Sequence, residues 1–391
     1  MRTSPQPAMG ETNALRRPDA RPPLHVAIVM PGLGAGGTEH VVNVLANEWT
    51  RRGWRVTVLT FEQPDTPSYY RFDPAVEIRR LGLPPKPQRL GPAAMGSVRR
   101  VQALRTALTD VKPGLVISFL TRTNVLTLLA TRYLGVPVVV SERNNPALQD
   151  TGPIWRALRR HLYPKAFGLV TMTAGALEFF PAALRRRSWV IPNSVDLPAD
   201  RQRKRLGNTL TAVGRLVPQK GFDLLIEAFS RIAPEFPDWS LVIWGEGPER
   251  AALEAQRAAL RLEGRVRMPG ITGEPGLWVE TADVFVLSSR FEGWGIVLLE
   301  AMAADLPVVS FDCQWGPRDM LTDSVHGLLV ERENVEALAG ALRRVLGDGA
   351  LRARLGEAAG RHARTFTPER NVDQWDAVAF AAITARDDGS M

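Results

Sequence analysis

The run Leu24-His25-Val26-Ala27-Ile28-Val29-Met30 ends at Pro31, and the loop Gly32-Leu33-Gly34-Ala35-Gly36-Gly37 follows it. Beyond the loop, Thr38-Glu39-His40-Val41-Val42 opens a helix expected from about 38 to 52. A continuous apolar run of strand length, a glycine turn and a helix form the opening unit of a doubly wound parallel sheet. The loop matches G-x-G-x-x-G through Gly32, Gly34 and Gly37. Glycines let the main chain approach a diphosphate, and the helix start turns N–H groups toward it. Taken alone, the pattern fits NAD, with Glu62 as ribose partner, and fits any other diphosphate ligand equally well.

Working outward, apolar runs of strand length recur: WRVTVLT, AVEIRRL, GLVISF, VPVVVS, GLVTM and WVIP, mostly with helical segments between them. The polar stretch VDLPADRQRKRLGN interrupts the rhythm at 195–208, and TLTAVGRL restarts it. SLVIWGEG, ADVFVLSS, LPVVSFD and HGLLV continue it, with helices near 219–233, 248–260 and 295–303. The expected fold class is α/β, two Rossmann-like doubly wound parallel-sheet domains facing a central cleft. Residues 1–22, rich in Pro and Arg and without an apolar stretch, read as a disordered tail. The first domain is expected over 23–198, a linker over 199–208 and the second domain over 209–370. The segment 371–391 is expected to hold a helix crossing back to the first domain, then a tail.

The 391 residues suffice for two cores, and 45% hydrophobic with 23% charged residues excludes a wholly disordered or fibrous chain. The most apolar stretch, 114–140, is cut by Arg122 and Arg132, so no spanning helix is expected. One cysteine, Cys313, excludes an intrachain disulfide framework, and five scattered histidines give no metal-ligand spacing. No metal and no cofactor are expected. Residues 1–200 carry a balance of +12 and the remainder −4, so the first domain is expected to face something anionic. Basic residues are not interleaved with aromatics and no nucleic-acid motif is present, so nucleic acid is not an expected partner. A membrane surface or a phosphate-bearing lipid fits the charge instead.

Two later stretches carry chemistry. Gly214-Arg215-Leu216 ends a strand and Lys220 follows at a helix start, so both cations can grip a diphosphate from one side. Each would offset the charge of a leaving phosphate as a phosphate–sugar bond breaks. In Phe291-Glu292-Gly293-Trp294-Gly295-Ile296-Val297-Leu298-Leu299-Glu300, two acids bracket a glycine loop and the first turns of a helix. Gly293 and Gly295 expose N–H groups where a helix dipole favours phosphate or a polar sugar. Glu300, set among apolar residues, needs a partner, which ribose hydroxyls would supply.

GLGAGGTEHVV, GRLVPQKGFDLLIEAF, IWGEGPER and FEGWGIVLLEAMA resemble the motifs of the retaining, nucleotide-sugar-dependent glycosyltransferases of family 4, with the GT-B fold. The resemblance covers about residues 24 to 370, in the family's order. It implies that Arg215 and Lys220 bind the donor diphosphate, Glu292 contacts the transferred sugar and Glu300 holds the ribose. Arg215, Lys220 and Glu292 are thereby the expected catalytic residues. Gly36 and Gly37 would bring N–H groups toward the donor phosphate or the acceptor, and Gly293, Trp294 and Gly295 would complete the donor site. The strand edge at Met268, Pro269 and Gly270 would seat the base, and Gly245, Glu246 and Gly247 would shape the cleft. The implied reaction is metal-independent hexosyl transfer with retention.

SFLTRTN, SERNNP and SFDCQWGPRDML are similar to a narrower branch that extends undecaprenyl-diphosphate-linked oligosaccharides or exopolysaccharide precursors, mostly from UDP-sugars. That branch implies bacterial polysaccharide or glycoconjugate synthesis, on a glycan acceptor carried by a polyprenyl diphosphate. Arg122, Asn124, Glu142, Arg143 and Asn144 are expected on the acceptor side, and Gly316, Pro317 and Arg318 over the donor sugar. The family's first-domain histidine is missing from Phe119-Leu120-Thr121-Arg122-Thr123-Asn124, and His40 stands where arginine is usual. Arg156, Arg159, Arg160 and Lys165 flank an apolar stripe of Trp155, Leu158 and Leu162, and Arg185 to Arg187 form a second cluster. Such a helix can lie in a membrane interface, so a cytoplasmic protein, peripheral on the inner face of the plasma membrane, is expected. GDP-mannose or a soluble acceptor, an NAD-dependent oxidoreductase, and a non-catalytic scaffold stand as alternatives.

Overall fold

The computed structural model describes residues 24–83, 90–196 and 207–388. The expected tail over 1–22 lies outside these residues, as does most of the expected linker over 199–208. The chain forms two wholly parallel sheets. The first holds β1 (His25–Met30), β2 (Arg55–Thr60), β3 (Glu77–Arg80), β4 (Leu115–Phe119), β5 (Val138–Ser141), β6 (Gly168–Thr171) and β7 (Ser188–Val190). Its spatial order is β3-β2-β1-β4-β5-β6-β7. The second holds β8 (Thr209–Val213), β9 (Ser240–Trp244), β10 (Val266–Gly270), β11 (Val284–Leu287), β12 (Val308–Phe311) and β13 (Leu328–Val330). Its order is β10-β9-β8-β11-β12-β13. Strand order therefore reverses at β1/β4 and at β8/β11, the two points where doubly wound sheets open a crevice at the strands' carboxyl ends.

The central strands are buried along their length, as sheets covered by helices on both faces require. β10 escapes a reading from apolar runs because its register with β9 shifts between Arg267 and Gly270 and it contains Pro269. It is an edge strand, where a missing N–H donor is tolerated. The last helix, Pro368–Asp387, returns to the first sheet. Its Val372, Trp375, Val378 and Ala379 join Val26, Trp49 and Phe119 in one buried cluster. Trp49 Nε1 donates to Asp376 Oδ1 at 2.7 Å, and Arg52 pairs with Asp376 at 2.6 Å.

Trp375→Ala removes the largest side chain of that helix from the first core. The unfolding midpoint should fall by the equivalent of about 3–5 kcal/mol, read by denaturant titration. A loss below about 1 kcal/mol would mean that the helix contributes little to the first domain.

Candidate active site

The carboxyl ends of the two sheets face one another across a cavity of about 850 Å³. That volume suits a ligand well above fragment size. From the first domain Gly36, Gly37, Glu39, Arg122, Arg143 and Asn144 line it. From the second come Arg215, Gln219, Lys220, Glu292, Trp294, Gly295 and Glu300.

On the second sheet, three glycines let the loops interlock. Gly221 is left-handed (φ 60°), and a Cβ there would overlap the Ser288 carbonyl oxygen. A Cβ on Gly245 would overlap the Gly214 carbonyl oxygen, and one on Gly247 that of Leu216. Side chains complete the lacing. Ser288 Oγ donates to the Lys220 carbonyl at 2.9 Å, and Gln219 Nε2 donates to the Phe291 carbonyl at 2.9 Å. Arg290 pairs with Asp223 at 2.7 Å and donates to the Pro218 carbonyl. Arg215, Lys220 and Glu292 therefore stand on one rigid frame.

Within it, Lys220 Nζ lies 2.6 Å from Glu292 Oε1, both groups largely buried, and Ser289 Oγ donates to the same oxygen at 2.6 Å. Arg215 is exposed to the cavity and has no ion-pair partner among the described residues. One cation is thus held by an acid while the other is free for a ligand. Glu300 Oε2 accepts from Trp278 Nε1 at 3.3 Å, and burial pushes its carboxyl up to about 7. The first turn after Gly295 (φ 88°), with Ile296 and Val297, also faces the cavity.

The first domain meets this frame closely. A Cβ on Gly37 would approach Ile296 Cγ2 to 2.7 Å, and one on Gly293 would meet the Arg143 carbonyl and the Asn144 Cα at 2.7 Å. Tyr69 Oη bonds Thr272 Oγ1 at 2.9 Å across the cleft. Glu39 folds its carboxylate over Gly36, and burial raises it to about 7 against the opposing pull of Arg215. Arg143 is buried, gives a hydrogen bond to Asn193 and lies 5.9 Å over the Phe119 ring. Burial draws its guanidinium down to about 9.

Several expectations are corrected by these positions. Asn124 and Glu142 do not reach the cavity. Asn124 is tied to Ser118, Ser141 and Tyr163, and Glu142 accepts from Thr121 and Tyr163 in a closed network behind β4 and β5. Gly270 is spent on the sheet, where its carbonyl accepts from the Gly245 N–H at 2.8 Å. The cavity wall there is Ile271 and Thr272. Gly293 packs beneath the first domain and not against the cavity. Gly316 sits behind Trp294, and Arg318 pairs with Asp312 at 2.7 Å, and neither lines the cavity. Glu62, the candidate ribose partner for NAD, instead accepts the Leu33 N–H at 3.0 Å. His40 is buried against Tyr70 and held neutral by burial, a packing role. Glu39, Gln219 and Trp278 also line the cavity, beyond the expected residues. Glu39 was legible as an acid in the first helical turn, whereas the partnership of Trp278 with Glu300 spans loops that only folding brings together.

Fold and cleft define two parallel-sheet domains facing one cavity, whose second-domain wall carries Arg215 and the Lys220–Glu292 pair. The chain belongs to the family 4 glycosyltransferases of the GT-B fold. Residues 198–362 match the model of glycosyl transferases group 1, and residues 36–194 match the glycosyl transferase 4-like domain. An exopolysaccharide phosphotransferase of Streptomyces coelicolor is 30% identical over 302 residues, 75% of this chain; the match spans only 31% of that protein's length. The amylovoran biosynthesis glycosyltransferase AmsD of Erwinia amylovora is 24% identical over 89% of this chain and 97% of its own. A Campylobacter jejuni α-1,4-N-acetyl-D-galactosaminyltransferase, named for an undecaprenol-diphosphate-linked GalNAc acceptor, is 25% identical over 90% of this chain and 97% of its own. Among solved structures, Anabaena HepE with UDP and glucose superposes with a TM-score of 0.74 at 19% identity, covering 91% of this chain and 99% of that one.

The raised carboxyl of Glu300 has a signed consequence. Its folded value of about 7 lies above the ordinary 4.5, so folding favours the neutral acid. The stability it supports is complete below pH 4.5 and is lost as pH rises through 7. Glu300→Gln should therefore melt above wild type at pH 8, by an equivalent on the order of 3 kcal/mol. The gap should close toward pH 4.5. A gap that instead widens on acidification would show the carboxylate to be stabilised by the fold.

Proposed function

We propose that the protein transfers a hexose or N-acetylhexosamine from a UDP-sugar to a glycan carried on a polyprenyl diphosphate. The transfer retains anomeric configuration and serves exopolysaccharide or lipid-linked glycan synthesis. The observation that carries this reading is the pairing on one rigid frame of a free Arg215 with a Lys220 already balanced by Glu292. The Campylobacter relative's named acceptor and the UDP bound to HepE support the choice of substrates.

The donor diphosphate lies against Arg215 and Lys220, Glu300 takes ribose hydroxyls, and the base rests near Ile271 and Thr272. As the bond between the anomeric carbon and the β-phosphate oxygen breaks, negative charge grows on the leaving UDP, where both cations stabilise it. The acceptor hydroxyl adds on the same face of the sugar and passes its proton to the leaving phosphate oxygen. No enzymic base and no metal are needed in this scheme. Glu292, held by Lys220 and Ser289, faces the transferred sugar and orients it. Because leaving-group charge peaks in the transition state, Arg215→Ala and Lys220→Ala should each lower kcat about 10²–10³-fold. Donor KM should change less. The measurement is turnover of UDP-Glc, UDP-Gal, UDP-GlcNAc, UDP-GalNAc and GDP-Man with a polyprenyl-diphosphate-sugar acceptor, and NMR of the product anomer. An inverted product, or unchanged kcat in both variants, would overturn the mechanism.

Membrane association needs a revised surface. The stripe Trp155, Leu158 and Leu162 packs inward on the first core, and Arg159 is buried, donating to the Pro146 carbonyl. The helix Pro153–Leu162 leaves Ile154, Arg156 and Arg160 outward, with Lys165 and Arg185 to Arg187 also exposed. Among the described residues no helix is long and apolar enough to cross a membrane. Attachment would then be chiefly electrostatic. Flotation with vesicles of 30% anionic lipid should recover the protein at low salt and release it as ionic strength rises. Arg156→Glu with Arg160→Glu should abolish recovery; salt-insensitive flotation would contradict the charge-based surface.

A further inference from the structure

We propose that Arg143 recognises an anionic group carried by the substrate on the first-domain side of the cleft. This rests on the glycosyltransferase reading above and adds to it a residue and a substrate charge.

Arg143 lies two residues past the end of β5 and is only 7% exposed. Its guanidinium has one hydrogen-bond partner, Asn193, while Nε and Nη1 have none. No carboxylate pairs with it among the described residues, in contrast to Lys220 with Glu292 or Arg52 with Asp376. A buried cation without a counterion costs stability, and an apolar residue of similar length would serve packing better. Its location gives the charge a use. Arg143, Asn144, Asn193 and Met172 all line the cavity, and the Arg143 carbonyl abuts Gly293, next to Glu292. The residue thus stands where the two domains meet, opposite the cations that serve the donor diphosphate.

Nε and Nη1 are closed off from solvent, so the side chain must turn to meet a ligand. Turning exchanges two unsatisfied donors for charge-assisted hydrogen bonds, which a planar guanidinium makes well to phosphate or carboxylate. Two sources can bring that anion: the diphosphate of a lipid-linked acceptor, or the carboxylate of a uronic sugar.

The test compares wild type with Arg143→Met and Arg143→Lys on four substrate combinations. Acceptors are a short-chain prenyl-diphosphate-linked disaccharide and the same disaccharide as a neutral alkyl glycoside; donors are the best neutral UDP-sugar and UDP-glucuronate. Arg143→Met should melt at or above wild type and bind UDP unchanged. It should lose about 10–100-fold in kcat/KM on the diphosphate acceptor only, with partial recovery in Arg143→Lys. A loss that follows UDP-glucuronate on both acceptors would instead assign the anion to a sugar carboxylate. A lower melting temperature with equal losses on all four combinations would make Arg143 structural, and weakened UDP binding would place it in the donor site; either overturns the proposal. Melting shifts produced by the diphosphate acceptor, and by UDP-glucuronate against the neutral UDP-sugar, read Arg143 without turnover. They should be present in wild type for the acid-bearing ligand and absent in Arg143→Met; no such shift in wild type with either ligand overturns the proposal. A wild type that shows such a shift yet turns over no donor defeats the glycosyltransfer reading alone.

Discussion

Backbone meeting backbone is the constraint on which the second-domain site depends. At Gly221, Gly245 and Gly247 the main chain runs against a carbonyl of another loop, leaving no room for a side chain. The loops after β8, β9 and β11 are therefore fixed relative to one another before any ligand arrives. Preorganisation of this kind lets charges act on a transition state without first being rearranged. Arg215 and Lys220 come from the loop after β8, Glu292 from the loop after β11, and Glu246 from the loop after β9. Their convergence follows from strand order reversing at β8/β11.

Charge is divided unevenly across the cleft, and the division sorts the chemistry. Lys220 and Glu292 are mutually satisfied, so that part of the site is neutral before binding. Arg215 is free and accessible, whereas Arg143 is buried and short of partners. Glu39 and Glu300 are both pushed toward neutrality by burial, which suits groups that trade hydrogen bonds with hydroxyls more than groups that repel phosphate. The glycine loop of the first domain meets Glu39 on one side and Glu62 on the other. With Glu62 occupied by the loop's own N–H, the dinucleotide reading loses its ribose partner.

Much of this was legible in the sequence because parallel strands covered on both faces must be apolar throughout. Runs such as Val26–Met30 and Val284–Leu287 declare themselves without any partner. β10 did not, since an edge strand with an irregular register and a proline has no such pattern. That the second-domain residues would share one cavity was legible because their motifs are local: Glu292 and Glu300 share one loop and helix. The first-domain wall was read less well. Asn124 and Glu142 sit in sequence beside true lining residues, Thr123 and Arg143, but side chains around a strand end and helix start point in opposing directions. Sequence neighbours there do not share a surface. The same reason turned the stripe at Trp155, Leu158 and Leu162 inward, for an amphipathic helix on a sheet spends its apolar face on the core.

The central claim is that the cleft holds a nucleoside diphosphate through the second domain and not a dinucleotide through the first. Calorimetric titration of the purified protein with UDP and, separately, with NAD⁺ addresses it most directly. The account expects saturable UDP binding that is weakened at least about ten-fold by Arg215→Ala and no heat from NAD⁺. Saturable NAD⁺ binding with none for UDP would contradict it, leaving the two parallel sheets without the function argued for them.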